Sequence, residues 1–131
     1  MDADTLASVP FFAALSPEAR GAVASHAERI EVPQGTRLAG QEKPGYLFFV
    51  IEKGRAVVLQ DDRELRELGR GDFFGEIALL QTKERTASVV ARTPMQLITI
   101  TEAGFKRLVE TDPVVAQECR AAIAERWAAE V

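Results

Sequence analysis

The sequence predicts a mainly β fold: an antiparallel β-roll of the double-stranded jelly-roll kind, with an N-terminal helix, a short helix inside the roll and two C-terminal helices. Three observations predict it. Between about Glu28 and Thr101, Pro and Gly punctuate the chain at Pro33, Gly35, Gly40, Pro44, Gly45, Gly54, Gly69, Gly71, Gly75 and Pro94. Short runs rich in Val, Ile, Leu and Phe lie between those breaks, the pattern of many short strands in a sandwich or barrel. Both ends of the chain are instead rich in Ala and open with helix-starting residues.

Residues 1–27 read as helical. Ser16-Pro17-Glu18 is a helix start: a hydroxyl at the N-cap, Pro in the first turn and an acid at the positive end of the dipole. Val9-Pro10-Phe11-Phe12 before it reads as an apolar hinge that packs on the body. In the middle, Arg29-Ile30-Glu31-Val32 alternates as a half-buried strand does, and Leu47-Phe48-Phe49-Val50-Ile51 is a strand buried on both faces. Arg55–Leu59 and Ser88–Ala91 are valine-rich, and Gln96–Thr101 alternates again. Asp61-Asp62 is a turn, which makes Arg63–Leu68 the returning strand, although Leu65 and Leu68 stand three apart. Thr101-Glu102 opens a helix that ends before Asp112-Pro113, where Asp112 caps the last one. Val115, Cys119, Ile123 and Trp127 recur every four residues along it and form one apolar stripe. Residues 1–131 are expected to be a single domain: an N-terminal helical segment 1–27, a roll 28–101 and C-terminal helices 102–131.

Composition narrows the function. With 131 residues, 47% hydrophobic and 27% charged, the chain has enough apolar surface for a core and is not a disordered segment. A net charge of −4 argues against binding nucleic acid by bulk charge. One cysteine, Cys119, excludes an internal disulfide framework, and one histidine, His26, excludes a multi-histidine metal centre and leaves a metal-dependent jelly-roll enzyme without its ligands. No apolar run approaches the roughly 18 residues of a membrane span, and the acidic start MDADTLASVP is no secretory signal. The expected address is the cytoplasm, with no membrane partner.

The chemistry concentrates in Gly71-Asp72-Phe73-Phe74-Gly75-Glu76-Ile77-Ala78-Leu79-Leu80 and in Glu84-Arg85-Thr86-Ala87. Gly75 lets backbone approach a ligand closely. Glu76–Leu80 is long enough for about one helical turn, whose free N–H groups and positive dipole suit a phosphate. Arg85 follows Glu76 by nine residues, across the polar Gln81-Thr82-Lys83-Glu84, and its fork of donors matches two phosphate oxygens. The Glu76 carboxylate can accept from a pair of sugar hydroxyls.

Phe74-Gly75-Glu76-Ile77-Ala78-Leu79 followed by Arg85-Thr86-Ala87 resembles the phosphate-binding cassette of cyclic nucleotide-binding domains, as found in the catabolite activator protein, the regulatory subunits of cyclic-AMP-dependent protein kinase and cyclic-nucleotide-gated channels. The likeness extends over nearly the whole chain, through Pro10-Phe11-Phe12, Val32-Pro33…Gly35-Thr36, Phe48–Ile51…Gly54 and Gly69…Gly71-Asp72-Phe73. The resemblance implies that Glu76 accepts from the ribose 2′-hydroxyl and that Arg85 pairs with the exocyclic oxygens of the cyclic phosphate. It implies further that the N–H groups of Ile77, Ala78 and Ala87 complete the cradle. Thr86 stands at the variable position, where a hydroxyl favours cyclic GMP while cyclic AMP is tolerated. The C-terminal helix is the implied lid, with Ile123 or Trp127 as candidates to cover the base. Two positions depart from the pattern: Pro44-Gly45-Tyr46-Leu47 carries Tyr46 where many members have an acid, and Glu84 replaces the usual Gly or Pro before the arginine.

Each residue also has an ordinary role. Glu76 could be the first turn of a surface helix, Arg85 a solvated charge, Thr86 an outward strand residue, Trp127 a packing contact and Cys119 a small buried side chain, while the Phe11-Phe12 and Phe73-Phe74 pairs are core first. His26 reads as a partner of the first helix's C-terminal dipole. The sequence therefore favours a sensor without enzymatic activity or cofactor, whose ligand is cyclic AMP or cyclic GMP and whose occupancy moves the C-terminal helices. The alternative is a non-binding interaction or dimerisation domain with a vestigial pocket. The expected output is a protein partner or a fused effector domain, or a homodimer formed through the Val115–Trp127 stripe.

Overall fold

Local caps account for most helix boundaries in the computed structural model, which describes residues 1–39, 47–75, 87–118 and 120–121. The N-terminal segment forms three short helices rather than one: α1 (Ala3–Leu6), α2 (Pro10–Ala13) and α3 (Pro17–Ala24). Asp2 accepts from the Thr5 N–H at 2.7 Å to start α1, and Ser16 accepts from the Ala19 N–H at 3.1 Å to start α3. The expected hinge at Val9–Phe12 is itself a helical turn. Pro10 sits at its first position, where the missing N–H is not needed, and the Phe12 and Ala13 N–H groups bond the Val9 carbonyl. The Arg20 guanidinium holds the end of that turn, donating to the carbonyls of Leu15 (2.6 Å), Phe12 (3.2 Å) and Ala13 (3.3 Å).

Eight strands follow: β1 (Ala27–Val32), β2 (Arg37–Ala39), β3 (Leu47–Lys53), β4 (Ala56–Gln60), β5 (Arg63–Leu68), β6 (Phe73–Phe74), β7 (Ser88–Ala91) and β8 (Met95–Thr101). They form two four-stranded sheets, ordered β1-β8-β3-β6 and β2-β7-β4-β5, and each pairing in them is antiparallel. The fold is thus the mainly β roll with flanking helices that the sequence predicts. Two strands, β2 and β6, have no counterpart in the sequence reading, because runs of three and two residues carry no period of their own.

Asp61 and Asp62 have φ of 52° and 63°, the left-handed pair of a two-residue hairpin turn. The odd spacing of Leu65 and Leu68 has a geometric cause. Register runs from Val58↔Arg66 to Leu59↔Glu64, so Leu65 is an extra residue, a bulge that lets both leucines pack on one cluster. Gly54 turns β3 into β4 at φ +93°, and a Cβ there would stand 3.0 Å from the Met95 Cα.

The central strands of the first sheet, β3 and β8, are buried on both faces. Phe48 and Val50 of β3, with Ile98 and Ile100 of β8, meet the helices. Phe49 and Ile51, with Met95 and Leu97, face the roll interior. That two-sided burial is why β3 reads as a continuous apolar run. The second sheet contributes alternate residues to the interior, Ala56 and Val58 from β4, and Val89 and Ala91 from β7, with Ala87 just before β7 beside them.

After β8, α4 (Glu102–Thr111) starts on Thr101, whose hydroxyl accepts from the Gly104 N–H at 3.1 Å. Its Phe105 and Leu108 are fully buried against α3 and β3. His26 follows α3 directly, and its Nδ1 lies 3.3 Å from the Thr101 hydroxyl, so this ring meets the start of α4. Asp112 accepts from the N–H groups of Val114 (3.0 Å) and Val115 (3.2 Å) and opens the final helical stretch, 113–118. Val115, the first residue of the apolar stripe, is buried. Cys119, Ile123 and Trp127 lie outside the described residues.

Candidate functional site

All seven phenylalanines of the chain sit in two ring clusters, on opposite faces of the first sheet. On the helical face, Phe73 lies 5.5 Å from both Phe11 and Phe48, and Phe48 stacks on Phe105 at 4.6 Å. On the roll face, Phe74 stacks on Phe49 at 4.6 Å and 11° between planes. The register Phe49↔Phe74 and Val50↔Phe73 seats β6 on β3 and sends its two rings to opposite sides. A two-residue strand is thereby anchored by aromatic packing as well as by backbone bonds.

That anchor places the start of the cassette. Gly75 follows Phe74 with φ +103°, a conformation that glycine adopts freely and that an L side chain rarely takes. At the other end, Ala87 is buried in the roll interior and Ser88 begins β7. Chain leaves the first sheet at Phe74 and rejoins the second at Ser88, so both ends of the cassette open on the same apolar interior. Phe74, Gly75 and Ala87 are the predicted site residues that the structure describes, and it brings Phe74 and Ala87 together in one cluster. Glu76, Ile77, Ala78, Arg85 and Thr86 lie outside the described residues, as do the candidate lid residues Ile123 and Trp127.

The interior gains four side chains that the sequence reading did not assign to the site. Ile30, Val32, Leu38 and Leu65 are half-buried and pack against the interior cluster. Ile30 and Val32 were signalled by their alternation with Arg29 and Glu31; Leu38 sits in a run too short to show one. The interior described here is apolar, a low-polarity wall of the kind that covers the base and sugar faces of a ligand while a few polar groups fix its orientation.

The ionic contacts of known geometry lie on the outer surface. Arg29 holds Glu52 with two bonds, 2.7 and 3.0 Å, and Gln96 adds a third at 3.0 Å. The guanidinium bonds keep the Glu52 carboxyl below the usual range, against the opposing effect of burial. Arg92 donates to Glu64 at 2.6 Å and to Glu67 at 3.0 Å, tying the edge strand β5 to the β7–β8 turn, and those acids raise its pKa. Among the described residues, no three metal-ligating side chains gather to hold an ion, and no helix is long and apolar enough to cross a membrane.

Comparison with known proteins settles the family. The family model of the cyclic nucleotide-binding domain matches residues 29–112. This chain belongs to that family. The matched stretch runs from β1 through α4 and contains the whole cassette, including its undescribed residues. The cyclic nucleotide-binding domain is 39% identical over 106 residues to a cAMP-dependent protein kinase regulatory subunit of Aspergillus fumigatus. That alignment covers 79% of this chain and 26% of the relative. The domain thus spans about a quarter of the length of the curated relatives it matches. Among solved structures, the catabolite activator protein of Thermus thermophilus aligns with a TM-score of 0.76 at 30% identity, over 90% of this chain and 58% of that one. The cAMP-bound PfPKA-R aligns with a TM-score of 0.73 at 26% identity, over 94% and 45%.

Proposed function

We propose that this domain binds a 3′,5′-cyclic nucleotide, cyclic AMP or cyclic GMP, in the cassette between β6 and β7, and converts occupancy into movement of its C-terminal helices. The observation that carries this reading is the convergence of Phe74-Gly75 and Ala87 on one apolar interior, in a chain whose intervening residues supply Glu76 and Arg85. Glu76 accepts from the ribose 2′-hydroxyl and Arg85 pairs with the exocyclic phosphate oxygens. The N–H groups of Ile77, Ala78 and Ala87 complete the cradle, Gly75 allows the close approach, and Thr86 faces the base. Ile123 or Trp127 covers the base when the lid closes.

The sugar and phosphate contacts are charge-assisted, and each contributes about 1.5–3 kcal/mol before the costs of association are subtracted. An affinity near micromolar, about −8 kcal/mol, is the expected net. Occupancy shifts the lid by the difference in affinity between its open and closed states. In this reading residues 1–131 work as one sensor unit: helical segment 1–27, roll 28–101 and lid 102–131. The unit is not an enzyme, needs no cofactor or metal, works in the cytoplasm away from membrane and nucleic acid, and acts through a protein partner, a fused effector or a second copy of itself.

Calorimetric titration with cyclic AMP and with cyclic GMP, beside an Arg85→Ala variant, tests the proposal. Micromolar binding that the substitution weakens at least a hundredfold is the expected result. Absence of heat at millimolar ligand for both nucleotides would overturn it.

A further inference from the structure

A cavity lies away from the cassette, and of its lining residues only Ile51 belongs to the interior cluster that frames the nucleotide site. It opens between the α1–α2 link, the end of β3 and the turn before β6, with a volume of about 150 Å3. Buried Val9 and the neighbouring Pro10 give it an apolar side, and Ile51 borders it from β3 while belonging to the interior cluster. Glu52, Lys53 and Arg70 form its polar wall. The balance of charge there is unequal. Glu52 is engaged by Arg29 and Gln96 through both of its carboxylate oxygens. The ion pairs among the described residues take Arg29, Arg55, Arg92 and Lys106 as their cations, and the Lys53 and Arg70 side chains enter none of them. With Arg29 bound to Glu52, the cavity wall carries two cations, Lys53 and Arg70, that form no ion pair among the described residues, on a chain whose net charge is −4.

Arg70 is not on a loose loop. Its turn is pinned to β3: the Gly71 N–H donates to the Ile51 carbonyl at 3.0 Å, the Ile51 N–H to the Asp72 carbonyl at 2.9 Å, and the Gly69 N–H to the Asp72 carboxylate at 2.8 Å. Lys53 stands at the end of that same strand. The two cations therefore approach the cavity from backbone already fixed together, so a bound anion orders two side chains and little else. A guanidinium fork and an ammonium suit a tetrahedral oxyanion, and about 150 Å3 equals the share of roughly five water molecules, enough for a phosphate group.

We infer that this cavity is a second anion site, which takes the phosphate of a small ligand between Lys53 and Arg70 while the apolar side formed by Val9 and Pro10 receives a short carbon chain. The test is titration of the full chain carrying Arg85→Ala, which disables the cassette as a competing anion site. Inorganic phosphate is added without nucleotide, amide shifts are followed by NMR, and sodium chloride at equal ionic strength is the control. Saturable shifts over Ile51–Lys53 and Gly69–Asp72 are expected, with half-saturation in the millimolar range or below. Adding Lys53→Ala and Arg70→Ala together is expected to weaken them at least tenfold; both residues are exposed, and unchanged amide dispersion checks the fold. A stronger response to O-phosphoserine than to inorganic phosphate assigns a phosphomonoester, and the reverse assigns free phosphate. Three results each overturn the inference: shifts no larger than with chloride, shifts that survive the double substitution, or saturation in the unmodified chain that Arg85→Ala abolishes. Because no nucleotide is present, failure here leaves the cassette assignment untouched.

Discussion

Replacing Phe74 by Ala removes the ring that seats β6, and its cost can be worked from the structure. Phe74 is 4% exposed and stacks on Phe49 at 4.6 Å. Truncating a buried Phe costs about 3–5 kcal/mol, of which the ring pair accounts for roughly 0.5–1.5 kcal/mol. The middle of that range is expected, about 4 kcal/mol, because β6 is tied to β3 by backbone bonds and by the Phe73 ring and cannot simply collapse into the space left. Against a typical domain stability of about 5–15 kcal/mol, the variant folds but melts about 10–20 °C lower. Urea unfolding followed by circular dichroism, with an unchanged m-value, measures the loss. A double-mutant cycle with Phe49→Ala isolates the ring pair, and a coupling of about 0.5–1.5 kcal/mol is expected. A loss under about 1 kcal/mol, or a coupling of zero, would refute the reasoning, since either means that β6 is not held by its ring in the interior.

Further outcomes follow from other residues. Gly75→Ala forces a Cβ onto backbone at φ +103°, a strain of about 1–3 kcal/mol that is expected to lower cyclic nucleotide affinity at least tenfold by calorimetry. Asp112→Ala deletes the acceptor of two N–H groups at the start of the final helical stretch and is expected to lose about 0.5–2 kcal/mol in urea unfolding. Glu52→Gln tests the Arg29 pair through pH. The native carboxyl lies below its usual value, so its contribution is present above the unfolded pKa of about 4.3 and is lost as pH falls through the lower native value. The gap in melting temperature between Glu52→Gln and the unmodified chain is therefore expected at pH 7 and should close below about pH 4. A gap that persists unchanged at pH 3 would show that the ionised pair is not its source.

Much of the local structure is legible in the residues, for a physical reason. The caps at Ser16, Thr101 and Asp112 are hydrogen bonds between groups three or fewer residues apart, and Asp61-Asp62 turns the chain within its own two residues. Such contacts need no partner from elsewhere, so a short window of sequence contains them whole. The cassette is legible because Gly75, Glu76, Arg85 and Ala87 stand at the spacing of the family's phosphate-binding motif, with an arginine suited to phosphate oxygens and a carboxylate suited to sugar hydroxyls. Pro10 carries a further local signal, since a proline at a first helical position opens a helix of its own inside the expected hinge.

What the tertiary structure decided is everything that depends on distant partners. The two residues of β6 are a strand because β3, more than twenty residues earlier, receives them. The alternation of Phe48 and Phe49, and of Phe73 and Phe74, assigns one ring of each pair to the helices and the other to the roll, yet both rings look alike in sequence. The bulge at Leu65 exists only in register with β4. The pairing of Glu52 with Arg29 and Gln96 joins three strands. By itself the sequence determined the hydrogen bonds of neighbouring residues and the chemical groups that a ligand requires. Which faces are buried, and which charges pair, followed only once chain segments far apart in sequence had paid the entropy of meeting.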